Sequence, residues 1–238
     1  VATGSGAADL SKSLVPGVTG VVGEYMQVPG GKAPGTPEAL NTATFLRLRA
    51  AADGESPRPA NAVIVALPGF SSTPSQWLLV AGQLVEKAQT RTCEGKPCRV
   101  EVWVLQRRGA NLADASALLA ARKARNPEVA LDYYFGTPVM TPVQGKDAPA
   151  RIAAPGPDAK WKPLTQGDLA FMADWGFETY AGDVDAMIAQ VRERSGGKNI
   201  FLAGHSQGGG FVANYAARLK PDGKRGVEGL RSEERRVG

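Results

Sequence analysis

Gly204-His205-Ser206-Gln207-Gly208 is the stretch of this sequence best suited to covalent chemistry. A serine hydroxyl becomes a useful nucleophile when the backbone holds it clear of its neighbours, beside donors that accept developing negative charge. A strand that reverses sharply into a helix achieves this. Glycines two before and two after the serine, Gly204 and Gly208, remove the Cβ atoms that would collide at such a corner. The helix that follows supplies free N–H groups at its first turn. The pentapeptide alone says little in a chain with 29 glycines, so its setting matters. An apolar run over 199–203 leads in. Phe211, Val212, Tyr215, Ala216 and Leu219 then follow at helical spacing. Gly209 and Gly210 extend the small-residue run and are expected to allow close helix–strand packing. A dinucleotide-binding turn needs Gly-x-Gly-x-x-Gly and a phosphate loop needs Gly-Lys-Ser/Thr; neither is present here.

Acyl transfer at Ser206 requires two backbone donors aimed at one oxyanion. The N–H of Gln207, the residue after the nucleophile, is one. The other comes from a loop after an earlier strand. Leu67-Pro68-Gly69-Phe70 ends the apolar run 62–67 and fits that part. Gly69 lets the loop pass close to Ser206, and the N–H of Phe70 is the expected second donor. His205 is the only histidine of the chain. Adjacent residues leaving a strand point in opposite directions, so its imidazole is not expected to come within the ~3 Å of the Ser206 hydroxyl that a general base needs.

The elements that must carry these residues are legible in outline. Val21–Val28 and Ala43–Ala50 read as strands separated by Pro- and Gly-rich turns. Ala62–Leu67 is short, β-branched and unalternating, which describes a strand buried on both faces. A helix capped near Ser72 or Thr73 follows, with Trp77, Leu78, Val80, Ala81, Leu84 and Val85 at helical spacing. Val100–Leu105 is another strand, 112–125 an alanine-rich helix, and Glu178–Arg194 a helix ended by Ser195-Gly196-Gly197. Strand–helix alternation from residue 62 onward predicts an α/β fold, a mainly parallel sheet flanked by helices. Residues 1–20 are expected to be poorly ordered, 21–230 to form the core, and about 112–172 to form an insertion over the sheet. The region 136–167 shows no clear period. Val227–Leu230 opens a further strand that 231–238 does not continue, so 231–238 reads as a non-native tail.

The chain resembles the α/β-hydrolases of the esterase and lipase type. Leu67-Pro68-Gly69-Phe70 stands where that family has His-Gly-X, with Pro68 in place of the His. Val102–Asn111 is similar to the family's segment after the following strand, often Asp-x-Arg-Gly, and Ala203–Gly209 matches its elbow. The likeness covers about 40–110 and 175–230. It implies a carboxylic ester or lipid as the small-molecule substrate, an acyl-enzyme on Ser206, and no metal or organic cofactor. It also implies an acid and a histidine after the nucleophile, yet the 32 residues beyond Ser206 contain no histidine. Two readings follow: a C-terminally truncated hydrolase, inactive as it stands, or a catalytically dead binding module on the same scaffold. A peptidase is a weaker variant. A haloalkane-type hydrolase would need Asp where Ser206 stands.

Other residues have two readings each. Trp175, Phe177 and Tyr180, with Asp174 and Asp183, either line an acyl pocket or serve as core and helix caps. Tyr133, Tyr134 and Phe135 either close over a substrate or anchor the insertion. Arg107 and Arg108 either bind an acidic group or hold loops. Cys93 and Cys98 flank a turn marked by Gly95 and Pro97, within reach of a disulfide; two reduced thiols are the alternative. With a start at Val1 that lacks an apolar leader, the pair points to a secreted or periplasmic chain, the cytoplasm being the alternative. The 28 Lys and Arg are scattered among 23 Asp and Glu for a net charge of +5. No basic stripe interleaved with aromatics stands out, which argues against nucleic acid. No apolar run approaches the ~20 residues of a membrane helix.

Overall fold

A computed structural model of the chain describes residues 13–53, 59–141, 150–196 and 199–218. The strand opening expected at 226–230 and the tail at 231–238 lie outside the described residues, as does Leu219. The chain divides into two compact units. Among the described residues, one holds those up to Asn111 and from Phe171 onward, and the other those of Leu112–Ala170.

In the larger unit, β1 (Ser13–Leu14), β2 (Val21–Pro29), β3 (Thr42–Ala50) and β4 (Ala62–Leu67) precede helix α1 (Leu78–Gln89). A two-strand hairpin, β5 (Thr92–Cys93) and β6 (Lys96–Pro97), then leads to β7 (Val100–Leu105). The main sheet has the order β1-β2-β3-β7-β4-β10, where β10 is Ile200–Gly204. The strands from residue 62 onward, β7, β4 and β10, are parallel to one another. β1, β2 and β3 pair antiparallel, and β3 joins β7 antiparallel. The sheet is therefore mixed, and the parallel part is the part followed by helices.

Alternation within β4 explains its burial on both faces. Val63, Val65 and Leu67 pack on one side with α4 (Phe177–Ser195) and α5 (Gln207–Ala217), against Met187, Ile188, Val191 and Val212. Ala66, with Leu46, Leu48, Val102 and Val104, packs on the other side against Ala81 and Val85 of α1. Each fully buried Val, Leu or Ile contributes about 1.5–3 kcal/mol, so this two-faced core dominates the stability of the unit. A 3-10 turn over Pro74–Trp77 starts α1, with Pro74 in the first turn as the sequence suggests. Residues 13–20, expected within the poorly ordered segment, carry β1 and bury Val15 against the α1 side of the sheet. The signal missed there is Val15 itself, whose backbone N–H also bonds Val21 O at 3.0 Å. Cys93 and Cys98 form a disulfide across the β5–β6 hairpin, with Cα atoms 4.8 Å apart. Glu94 and Gly95 turn the hairpin with positive φ of 53° and 76°.

The smaller unit contains α2 (Ser116–Ala124), α3 (Glu128–Phe135) and a hairpin of β8 (Val139–Thr141) with β9 (Arg151–Ala154), in the stretch that shows no clear period in sequence. Ala117, Ala121 and Ala130 form its small buried cluster, with Tyr133 and Tyr134 packed on it. The Tyr133 hydroxyl donates to Asp114 Oδ2 at 2.7 Å and that of Tyr134 to the Asp114 carbonyl at 2.5 Å. Both tyrosines thus tie α3 to the segment before α2. No helix among the described residues is long and apolar enough to cross a membrane.

Candidate active site

The carboxyl ends of β4 and β10 lie side by side, with Gly204 in register with Leu67. In an α/β sheet this edge is where loops gather into a site. β10 turns into α5 within two residues. Ser206 makes the turn with φ 53° and ψ −124°, a sparsely populated conformation for a residue with a side chain. Such backbone costs about 1–3 kcal/mol and persists only where its surroundings impose it. Here the surroundings are backbone itself. A Cβ on Gly204 would lie 2.3 Å from the Gly208 carbonyl oxygen, and one on Gly208 would lie 2.3 Å from that of Leu67. Gly209 and Gly210 are different. A methyl on Gly209 makes only ordinary contact and one on Gly210 meets nothing within 4 Å, so close packing depends on Gly204 and Gly208 alone.

The turn leaves Ser206 exposed at the N-terminus of α5. The loop after β4 comes up against it. A Cβ on Gly69 would lie 3.3 Å from Ser206 Cβ and 3.2 Å from His205 Nδ1. Among the described residues, neither the N–H of Phe70 nor that of Gln207 donates to any carbonyl or side chain. The Phe70 side chain is exposed.

His205 bonds away from Ser206. Its Nδ1 lies 2.8 Å from Gln76 Nε2. The Gly69 N–H donates to Gln76 Oε1 at 3.1 Å, so the amide oxygen faces Gly69 and the amide NH2 faces the imidazole. In this arrangement Nδ1 accepts from the Gln76 amide. Arg107 approaches the same loop from the end of β7. Its Nε donates to the Gly69 carbonyl at 3.0 Å and its Nη2 to the Pro68 carbonyl at 3.2 Å.

Beside the elbow lies a cleft of about 460 Å³, floored by Leu67, Pro68, Gln207 and Gly208 and walled by Trp175, Phe177, Tyr180 and Phe211. Arg107 reaches into it. Phe177 and Phe211 are in ring contact at 4.9 Å. Burial pushes the Tyr180 hydroxyl above its ordinary pKa, against the opposing charge of Arg107, so it stays a neutral phenol. Trp175 is fixed from behind. Its Nε1 donates to Thr36 Oγ1 at 2.9 Å, and the Arg108 guanidinium lies 5.7 Å from its ring centre. Arg108 is buried and holds Asp183 through Nε at 2.7 Å and Nη2 at 2.6 Å, and it also contacts the Gly31 carbonyl. Arg108 and Asp183 are therefore scaffold behind the cleft. The Asp174 backbone carbonyl accepts the Thr179 hydroxyl at 3.1 Å, while the N-cap of α4 is Gly176 and no side chain caps it.

Gln76 carries no motif and escapes sequence reading altogether. The role of Arg107 is half visible, since Arg107-Arg108-Gly109 marks the end of a strand without saying which arginine turns where.

Residues 171–227 match the family model described as serine aminopeptidase, S33. No curated protein matches the chain. Solved structures similar to it include a candidate lipase from Sulfolobus solfataricus, at 13% identity and TM-score 0.48, covering 87% of this chain and 45% of the other. A cold-adapted esterase from an Arctic intertidal metagenomic library is similar at 10% identity and TM-score 0.39, covering 85% and 56%. An S-formylglutathione hydrolase from Agrobacterium tumefaciens is similar at 14% identity and TM-score 0.36, covering 84% and 53%. The chain thus spans about half the length of these proteins. The mixed sheet with helices on both faces, its strand order β2-β3-β7-β4-β10 and the strand–turn–helix at Ser206 are those of an α/β-hydrolase fold.

Proposed function

We propose that the chain carries the nucleophile and the oxyanion site of a serine hydrolase acting on small carboxylic esters. The observation that carries this reading is the conformation of Ser206, φ 53° and ψ −124°, held by glycine contacts at the head of α5 with its side chain exposed. In the reaction, Ser206 Oγ bonds to the ester carbonyl carbon as a base takes its proton. The carbonyl electron pair moves onto oxygen, where the N–H groups of Phe70 and Gln207 hold it. The pair then returns, the alcohol leaves with a proton, and an acyl-enzyme remains for water to hydrolyse.

The base and its acid partner lie outside these 238 residues in this reading, because the lone His205 bonds Gln76. Turnover by the chain by itself is then negligible. The aromatic cleft supports a compact apolar acyl or alcohol group as the substrate part bound beside the elbow. The Cys93–Cys98 disulfide supports an oxidising compartment, secreted or periplasmic. The engagement of His205 elsewhere also favours a second reading, a binding module without turnover.

One experiment separates them. A fluorophosphonate is attacked by serine oxygen at phosphorus, fluoride leaves, and the hydroxyl proton passes to solvent base at pH 8–9. Mass spectrometry of tryptic peptides compares labelling at Ser206 with that at exposed Ser13 in the same chain. Among the described residues neither serine hydroxyl is hydrogen-bonded to a base, so the ratio reads the oxyanion site. One aligned donor is worth about 10²–10³ in rate, and a ratio of about 10² or more is expected. A ratio near one overturns the hydrolase reading in favour of the binding module.

A further inference from the structure

The buried start of the loop that carries Phe70, Pro68 and Gly69, has all of its polar backbone paired. Pro68 has no N–H, and its carbonyl accepts from Arg107 Nη2. The Gly69 N–H donates to Gln76 Oε1, and its carbonyl accepts from Arg107 Nε and, at 3.3 Å, from the Ser72 N–H. The Phe70 carbonyl accepts from the Ser72 hydroxyl at 3.4 Å. In the stretch Pro68–Phe70 one group is left over among the described residues, the N–H of Phe70. Buried backbone groups are normally paired, as those of Pro68 and Gly69 are, so the Phe70 N–H is the first donor that follows this pinned pair.

We infer that Gln76 and Arg107 are positioning residues that clamp the 68–70 loop from opposite sides and fix the direction of the Phe70 N–H. This rests on Phe70 being an oxyanion donor, as proposed above. An oxyanion donor works only within about 0.5 Å of its productive position. The loop cannot supply that accuracy from its own packing, because its residues Phe70 and Ser71 are exposed and Ser71 sits at a positive φ of 53°. The two clamps take different atoms of the same peptide groups, so neither replaces the other. Arg107 is half-buried, and its planar fork reaches two successive carbonyls at once. Gln76 is exposed and would lose much of its grip to water, but its NH2 is anchored on His205 Nδ1. His205 thus acts on the donor loop through Gln76 rather than on the hydroxyl beside it.

The test uses the whole chain and four variants: Q76L, Q76E, R107M and R107K. For each, the maximal labelling rate and half-saturating concentration of the fluorophosphonate at Ser206 are measured, with Ser13 as internal reference. Q76L and R107M are expected to lower the maximal rate about tenfold, with the half-saturating concentration of Q76L unchanged. Q76E still offers oxygen to Gly69 N–H, and His205 can change tautomer to donate to it. R107K still donates to one carbonyl. Both are expected within about threefold of the parent. Amide hydrogen exchange gives a second reading without labelling: Gly69 slow and Phe70 fast in the parent, with Gly69 accelerated about tenfold in Q76L or, if Q76L fails to fold, the parent pattern alone deciding. Selective parent labelling with Q76L and R107M at the parent rate, or Gly69 exchanging as fast as Phe70 in the parent, overturns the clamp. A parent ratio near one overturns the hydrolase reading instead, so the two failures are distinct.

Discussion

Two glycines that are neighbours on one turn of α5 should respond to alanine in opposite directions. A methyl on Gly208 would lie 2.3 Å from the Leu67 carbonyl oxygen and 2.8 Å from both the Leu67 carbonyl carbon and the Pro68 carbonyl oxygen. All three are backbone atoms, so no side chain can swing aside. Ordinary C···O contact begins at about 3.3 Å, so the head of α5 and the end of β4 must part by about 1 Å. That movement strains the His205 N–H bond to the Leu67 carbonyl, 3.1 Å in the parent, worth about 1 kcal/mol. It also disturbs the packing of Val212 and Tyr215 in the core they share with Leu67, and overpacking of this kind costs about 1–3 kcal/mol. The sum is about 2–4 kcal/mol, or about 4–16 °C in Tm for a chain of this size. A methyl on Gly210 meets nothing within 4 Å and sits inside the helix. There alanine gains about 0.5–1 kcal/mol over glycine from reduced backbone entropy and better helix propensity. Urea and thermal unfolding of Gly208→Ala and Gly210→Ala therefore check the reasoning directly. A Gly208→Ala chain within 0.5 kcal/mol (about a third of a tenfold change) of the parent, or a Gly210→Ala chain as damaged as Gly208→Ala, would refute the close-approach account of the elbow.

Ser206→Gly should be more stable than Ser206→Ala by about 1 kcal/mol, since glycine alone relaxes the positive φ while both remove the hydroxyl; paired thermal melts check this, and equal melts would mean the turn stores no strain. Glu101 is buried beside Arg47, Arg99, the Trp103 N–H and the Ser195 hydroxyl. Burial by itself would raise its pKa, but the hydrogen bonds and charge of Arg47, with those of Trp103 and Ser195, hold it below the ordinary glutamate range. A depressed carboxylate stabilises the fold above its unfolded pKa and loses that contribution as pH falls through the folded value. Glu101→Gln should thus cost about 3–5 kcal/mol at pH 7 by leaving buried arginines uncompensated, with the gap to the parent closing as the pH is lowered. Denaturant titrations at pH 7 and at progressively lower pH read both, and a gap that is constant with pH would show that the Glu101 charge is not what stabilises the cluster.

Local signals in the sequence were enough for the parts of the molecule whose physics is local. Ala62–Leu67 is apolar at every position because both sheet faces are covered, and Gly204 and Gly208 flank Ser206 because the turn there has no room for Cβ atoms. The same locality explains the disulfide, whose two cysteines sit at the ends of one hairpin. What sequence could not display is contact between distant positions. His205 and Gln76 are 129 residues apart and meet only because β10 lies beside β4. Arg108 and Asp183 are 75 apart, and nothing around either residue distinguishes an arginine that binds substrate from one that holds an aspartate under a tryptophan. Gly209 and Gly210 fail in the opposite way: they look like part of the elbow because they adjoin it, yet only the geometry shows that a methyl would make no more than ordinary contact at Gly209 and none at Gly210. The division follows chemistry. The group that would react is announced by its own neighbours, whereas the accuracy with which a donor meets it is set by side chains from other elements. A family match over the elbow alone therefore says little about rate, and the residues worth changing first are Gln76, which has no motif, and Arg107, whose neighbours mark a strand end but not its partners.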